Sequence, residues 1–399
     1  MSRLFIVGAK RTPFGAFGGK LKDMTATDLA VAASTAALSS SRVPPALVGA
    51  SVWGNVAQTS SDAAYLSRHV GLRAGLAQTS TALTVNRLCG SGFQAVVSAA
   101  HEMAAGDNDS GLALVGGAES MSQAPLSVYG QNVRFGHRLG VDVSLQDTLW
   151  SALTDSYAKT PMGITAETLG AKYGVTREAC DRFALQSQTR WAAANASGAL
   201  APTIAPVALA GKKGPESFSV DEHPRAGSTY ESLAKLAPVF KKDGGLVSAG
   251  NASGICDGAA ALVLATEVAV KAHGLSPLAR VVGWATAGVD PKIMGIGPAP
   301  AIRALLKKTN VKLSDVAMIE VNEAFASQVL AVAKDLELDS GCINEHGGAI
   351  SVGHPLGASG ARILGLLAHR LSTATTARYA IGSACIGGGQ GIAVLLEKV

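Results

Sequence analysis

Two cysteines and one histidine stand where covalent chemistry is easiest to build. Cys89 lies in Asn86-Arg87-Leu88-Cys89-Gly90-Ser91-Gly92, after a stretch read as a strand over Thr81–Leu88 and before a helix opening near Gly90. The partial positive charge of a helix start lowers a thiol pKa and favours the nucleophilic thiolate, and the small neighbours leave room for a substrate. His354, in Gly353-His354-Pro355, precedes a second small-residue turn, where an imidazole can take a proton from a thiol. Cys385 follows a strand and runs into Gly387-Gly388-Gly389, whose backbone N–H groups can face an oxyanion. Asn322 and Glu323 sit between a strand and a helix. Each has a plainer reading: packed thiols for the cysteines, a hydrogen-bonded loop residue for the histidine, helix capping for Asn322 and Glu323. Taken together, they point to covalent catalysis through one thiol with the second as acid and base.

The elements that must position these residues are legible from hydrophobic pattern. Short runs rich in Val, Ile and Leu read as buried strands at Leu4–Val7, Leu112–Val115, Ala260–Leu264, Met318–Val321, Ala380–Gly382 and Gly391–Leu396. Alanine-rich segments at Ala26–Leu38, Gly92–Ala105 and Gly360–Leu371 have helical periodicity, so the class is α/β with helix-covered sheets. The chain also repeats itself. The turn Cys89–Gly92 and the turn Gly357–Gly360 are each followed by an apolar helix, a strand and a glycine turn. That order favours two duplicated halves. Between them, Ser122 to Val247 is rich in proline and dispersed charge and reads as an inserted loop domain. Within it, Thr176 caps a helix over Arg177–Ala194. The expected division is a first half over 1–121 completed by 247–274, an insertion over 122–246, and a second half over 275–399.

Composition narrows the function. At 399 residues with 48% hydrophobic content, the chain can bury a large core over two or three domains. A net charge of +5 without a basic run does not support a nucleic-acid footprint but suits an anionic small ligand. No stretch has the roughly 18 unbroken apolar residues of a membrane span. Five scattered cysteines without a CxxC pair argue against a disulfide framework or zinc site, and no histidine spacing makes a metal set. Neither a P-loop nor GxGxxG occurs. The acid-poor, basic start through Lys22 is a weak mark of mitochondrial import, or simply the opening of the first strand.

On these motifs the chain resembles the thiolase family along essentially its whole length. The resemblance runs through Lys10–Gly15, Asn86–Gly92, Gly117–Ser122, Gly250–Gly254, Asn322–Ala326, Gly353–Gly357 and Cys385–Gly391, and is greatest to the mitochondrial 3-ketoacyl-CoA type. It implies a five-layered αβαβα fold, a homodimer or homotetramer, no permanent cofactor, coenzyme A as co-substrate, and a mitochondrial matrix location, with the cytoplasm as alternative. Cys89 would be the acylated nucleophile, His354 its base, and Cys385 the acid/base for the leaving and entering groups. Backbone N–H groups of Cys89 and Gly387 would hold one oxyanion; His354 and a water on Asn322 would hold the other. Arg225, Ser253, Met162, Leu153, Phe240 and Ala249 would contact CoA, with Met294 and Phe325 at the reacting end. Two departures stand out: Pro161 where many members have histidine, and Asn344-Glu345-His346 where many have Asn-x-Asn. The expected reaction is thiolysis of 3-ketoacyl-CoA. The alternatives are a thiolase confined to acetoacetyl-CoA, a thioesterase side activity, and a non-catalytic acyl-CoA binder.

Overall fold

A computed structural model describes residues 3–211 and 214–399. We label the main strands β1 (Leu4–Arg11), β2 (Ala50–Gly54), β3 (Thr81–Val85), β4 (Leu112–Ser120), β5 (Cys256–Thr266), β6 (Ala279–Gly288), β7 (Val316–Val321), β8 (Tyr379–Ile386) and β9 (Gln390–Glu397). The helices used below are α1 (Ala26–Ser41), α2 (Leu66–Arg73), α3 (Ser91–Ala105), α4 (Met162–Lys172), α5 (Arg177–Ala196), α6 (Pro298–Thr309), α7 (Ala326–Asp335) and α8 (Ser359–Thr373).

The strands run in the spatial order β7-β8-β9-β6-β1-β5-β4-β2-β3. Reading outward from the β6–β1 seam, both halves follow one pattern: antiparallel, antiparallel, then parallel. Beyond that, β2 pairs in parallel with β3, while β7 makes a single parallel bridge from Ile319 to Ile343. Cys89 follows the first of these outer segments and His354 follows the second. The duplication read from the two turns is therefore present as a repeated strand order.

Strand alternation explains the layering. Along β5, Leu262 and Leu264 join a core shared with α3 and α8, whereas Ala261 and Val263 face α1 and α2. Along β9, Ile392, Val394 and Leu396 join the shared core, and Leu395 faces α6 and α7. Successive side chains point to opposite faces, so strands buried on both sides must be apolar throughout. The five layers are α1/α2, sheet, α3/α8, sheet, α6/α7. Phe93 of α3 and Ile363, Leu364 and Leu367 of α8 fill the middle layer, each fully buried and worth about 1.5–3 kcal/mol.

Most strands run longer than their apolar runs suggest. β4 continues through Gly116-Gly117-Ala118-Glu119-Ser120 because its register with β5 is unbroken from Leu112 to Ser120. The stretch after Thr81 is shorter than expected: β3 ends at Val85, and Asn86–Leu88 form a turn in which Leu88 takes φ +46°. α5 begins as expected, with Thr176 accepting from the Ala179 N–H. The 122–246 segment does not stand apart from the core: Cys180, Phe183 and Ala184 of α5 pack among the α6 and α7 side chains, and Val207 and Phe218 of its hairpin pack beneath α1. Of the basic start, Lys10 and Arg11 lie in β1, and Arg11 is held by Asp221 through bonds of 2.6 and 2.8 Å.

Candidate active site

The turn Gly90-Ser91 leads from β3 into α3, so Cys89 stands one residue ahead of the helix cap at Gly90. Ser91 fixes this turn: its hydroxyl donates to the Leu88 carbonyl at 2.7 Å and accepts the Arg87 N–H at 2.9 Å. Cys89 keeps partial exposure and lines an apolar cavity with Leu153, Met162, Phe240, Ser253, Met294, Phe325 and His354. Pro161 and Trp150 complete the rim of that cavity. On its other side, Cys89 borders a second hollow lined by Gly387, Gly388 and Leu88.

The helix start does not lower this thiol. Burial pushes Cys89 up to about 11, and the nearby Glu119 carboxylate adds to the rise. Two backbone N–H groups, those of Gly387 and of Cys89 itself, point at the sulfur and oppose the shift without overcoming it. The helix start alone predicts a lowered thiol; here desolvation of the charged form dominates and the thiol stands above its ordinary value.

His354 is held on every side. Its backbone N–H donates to Gly254 O at 2.9 Å, its Nδ1 meets Ser359 Oγ at 2.6 Å, and its Nε2 meets Asn322 Nδ2 at 3.2 Å. Ser359 Oγ also donates to the Pro355 carbonyl at 3.1 Å. With the hydroxyl proton on that carbonyl, Oγ accepts from Nδ1–H. The Asn322 amide, itself a donor, then faces a bare Nε2 lone pair. Burial, followed by the Arg362 guanidinium, drives the imidazole down to about 3, so it is neutral at rest. His346 is not among the causes of that shift. Asn344 instead serves the backbone: it bonds both the N–H and the C=O of Val321 and donates to Glu323.

Cys385 does not follow β8 but lies in it, opposite Gly391, and is fully buried. It packs with Met294 and Ala324 at the inner end of the cavity, with Met162 and Phe325 beside them. Burial first, and the neighbouring Cys89 second, push its thiol above the ordinary range. Asn322 and Glu323 are not caps, since α7 starts at Ala326 with no side-chain cap. Glu323 is buried and accepts from Asn344, Ser187 and the Ile350 N–H. Asn322 Oδ1 is buried without a partner.

The loops that shape the cavity are tied to one another. The Ser253 N–H donates to Ala324 O at 3.0 Å, and Met162 N–H to Leu153 O at 3.0 Å. Glu167 of α4 accepts from the Leu246 and Val247 amides, which anchors the chain that carries Phe240. Arg225 and Ala249 are exposed and line neither cavity; Arg225 is fixed through its backbone N–H to Gln188. The structure thus gathers eight of the expected residues around one cavity, places Cys385 and Asn322 just behind it and Gly387 beside it, and leaves Arg225 and Ala249 outside.

Two residues singled out for no role belong to the site. Glu119 accepts hydrogen bonds from Gly357, Ala57 and Val56, and Ser359 holds the His354 ring. Both lie inside motifs around the chemistry, but nothing in their spacing marks them as contacts.

The Thiolase, N-terminal domain model matches residues 4–268, and the Thiolase, C-terminal domain model matches residues 275–398. The chain is 56% identical over 395 residues to rat mitochondrial 3-ketoacyl-CoA thiolase, covering 99% of this chain and 98% of the relative. It superposes on the crystal structure of human mitochondrial 3-ketoacyl-CoA thiolase with TM-score 0.97 at 54% identity, over 100% of this chain and 99% of the other. The human enzyme in complex with CoA superposes with TM-score 0.96 at 54% identity, over 100% and 98% of the two chains.

Proposed function

The chain belongs to the thiolase family, and on that premise we propose that it cleaves 3-ketoacyl-CoA with CoA to give acetyl-CoA and an acyl-CoA shortened by two carbons. The observation that carries this reading is the placement of Cys89 and a His354 held neutral by burial on one cavity, with two backbone amides aimed at the Cys89 sulfur.

In the first half-reaction, Cys89 Sγ attacks the 3-keto carbon and His354 Nε2 takes the thiol proton. The carbonyl oxygen gathers charge against the N–H groups of Cys89 and Gly387. Cleavage of the bond between carbons 2 and 3 leaves an acyl thioester on Cys89 and an acetyl-CoA enolate. The enolate oxygen is held by His354 and a water on the unpartnered Asn322 Oδ1. Cys385 protonates its carbon. In the second half-reaction, the Cys385 thiolate takes the proton of incoming CoA. The CoA sulfur attacks the acyl thioester, and Cys89 leaves with the proton held on His354. A raised thiol pKa suits Cys385, because a weak acid gives a strong base for the second step.

Ser253, Met162, Leu153 and Phe240 enclose the pantetheine arm of CoA, and Met294 and Phe325 its reacting end. Arg225 and Ala249, outside the cavity, meet the nucleotide end. The chain acts as a homodimer or homotetramer in the mitochondrial matrix. The test is thiolysis rate against 3-ketoacyl-CoA length from four carbons to sixteen, with Cys89→Ala as control. Turnover on medium and long chains, lost in the variant, is expected. Activity confined to four carbons would move the enzyme to acetoacetyl-CoA chemistry and make Pro161 the first residue to exchange. Substantial turnover in Cys89→Ala would remove the nucleophile assignment.

A further inference from the structure

We propose that Glu119 is a positioning residue for this acyl transfer: it ties the loop after β2 to the turn that carries His354 and sets a carboxylate beside the turn of Cys89. The inference rests on the thiolysis reading above, since it concerns the same nucleophile and base.

Glu119 is fully buried near the end of β4. One carboxylate oxygen accepts from Gly357 N at 2.8 Å and Val56 N at 3.2 Å; the other accepts from Ala57 N at 2.9 Å and Asn55 Nδ2 at 3.2 Å. Four N–H donors from two separate loops therefore meet on one side chain. One loop follows β2. The other is the turn His354-Pro355-Leu356-Gly357, which continues directly into Ser359, the partner of the His354 ring. The approach is close: a Cβ at Gly117 would lie 1.8 Å from Gly357 O, so only glycine lets that turn settle on β4. A carboxylate is the side chain that suits the spot, because it offers acceptors on both oxygens and no donor. Glutamine would place an NH2 against backbone N–H groups.

The same carboxylate lies close to Cys89, which packs in one cluster with Val56, Met121 and Leu356. Burial is the main cause that raises the Cys89 thiol, and the Glu119 charge adds a smaller rise. Glu119 itself is pushed up to about 7 by burial, with its amide partners opposing the rise and Asp257 on the neighbouring strand adding to it. The other titratable groups around the nucleophile are Cys385 and His354. With the proton still on sulfur, the S–H bond breaks only as the bond from Sγ to carbon forms, and the proton passes to His354 Nε2. The site then presents no standing thiolate to other electrophiles.

The experiment reads charge and reach separately. The rate of Cys89 alkylation by iodoacetamide is followed against pH in the parent enzyme, Glu119→Gln and Glu119→Asp, with kcat/KM measured alongside. Glu119→Gln should lower the alkylation midpoint, the effect of removing a nearby like charge. It should also lower kcat/KM by roughly tenfold or more through the lost charge-assisted bonds. Glu119→Asp keeps the charge but is too short to span both loops, so it should return the midpoint toward that of the parent while kcat/KM stays low. An unchanged midpoint or unchanged kcat/KM in Glu119→Gln overturns the proposal. If Glu119→Gln does not fold, Asn55→Ala removes one donor and leaves the carboxylate. It should keep the midpoint of the parent while lowering kcat/KM, and a parental kcat/KM would contradict the proposal. Failure of Cys89 to alkylate at any pH in the parent would instead sink the nucleophile assignment itself.

Discussion

Replacing Ser359 with alanine tests how the base is set. In the structure, Ser359 Oγ lies 2.6 Å from His354 Nδ1 and 3.1 Å from the Pro355 carbonyl, both within one turn of the start of α8. With its own proton on that carbonyl, the hydroxyl would accept from Nδ1–H, leave Nε2 unprotonated and share the charge if Nε2 takes the thiol proton. Removing it has two costs. The resting imidazole can take either tautomer, and the transient imidazolium loses a hydrogen bond in a buried site. A bond to a charged group is worth about 1.5–3 kcal/mol, so kcat should fall between roughly 10- and 150-fold. Because burial holds the His354 imidazole low and the Cys89 thiol high, a preformed ion pair is disfavoured at rest. The effect should therefore appear in kcat, when the proton moves, rather than in binding of the acyl-CoA. Steady-state thiolysis gives kcat and KM, and thermal denaturation checks that the fold is intact. A Ser359→Ala enzyme with parental kcat would refute the tautomer argument. A rise in KM alone would show that Ser359 shapes the pocket and not the base.

Further outcomes follow from the buried charges and the packed helices. Glu320 is pushed up to about 7 by burial, against the pull of Arg362 and Arg370. Between its unfolded value near 4.5 and that raised value the native state holds the extra proton, so its contribution to stability is lost as pH rises through the window. Glu320→Gln should flatten that loss. The stability difference between parent and variant should drift by about 3 kcal/mol between pH 4 and 8 in denaturant titrations, and a pH-independent difference would count against the burial argument. His354 works the other way: its depressed pKa makes the fold lose stability as pH falls from about 6.5 toward 3, and His354→Asn should remove that slope. Gly92 sits where α3 crosses α8, and a Cβ there would lie 2.6 Å from Ala361 N and 2.8 Å from Gly357 O. Gly92→Ala should cost about 1–3 kcal/mol, read as a lower Tm. An unchanged Tm would mean that the helices can part freely.

Residue type and order made the α/β class, the duplication and the neighbourhood of Cys89, His354 and Cys385 legible, because each carries a local signal. β5 and β9 are apolar on both faces, and the two small-residue turns recur in the same sequence of elements. What stayed hidden depends on distant partners. β4 runs on through two glycines and a glutamate only because β5 pairs with it there, and a single strand cannot show its neighbour. The sign of the Cys89 shift was misread for the same reason: the helix start is visible locally, whereas burial and the charge of Glu119 come from the folded surroundings. Ser359 and Glu119 are five and 238 residues from their partners His354 and Gly357. The first sits in a turn motif that favours serine for many reasons, and the second reads as the polar end of a strand.

The claim on which all of this depends is that an acyl group rests on Cys89 between two half-reactions. The most direct measurement is mass spectrometry of the enzyme mixed with a 3-ketoacyl-CoA in the absence of free CoA, quenched in acid and digested. The account predicts one acyl chain, two carbons shorter than the substrate chain, on the peptide containing Cys89, together with released acetyl-CoA and loss of the adduct when CoA is added. Acetyl-CoA release with no adduct, or an adduct on Cys385 in place of Cys89, would contradict it.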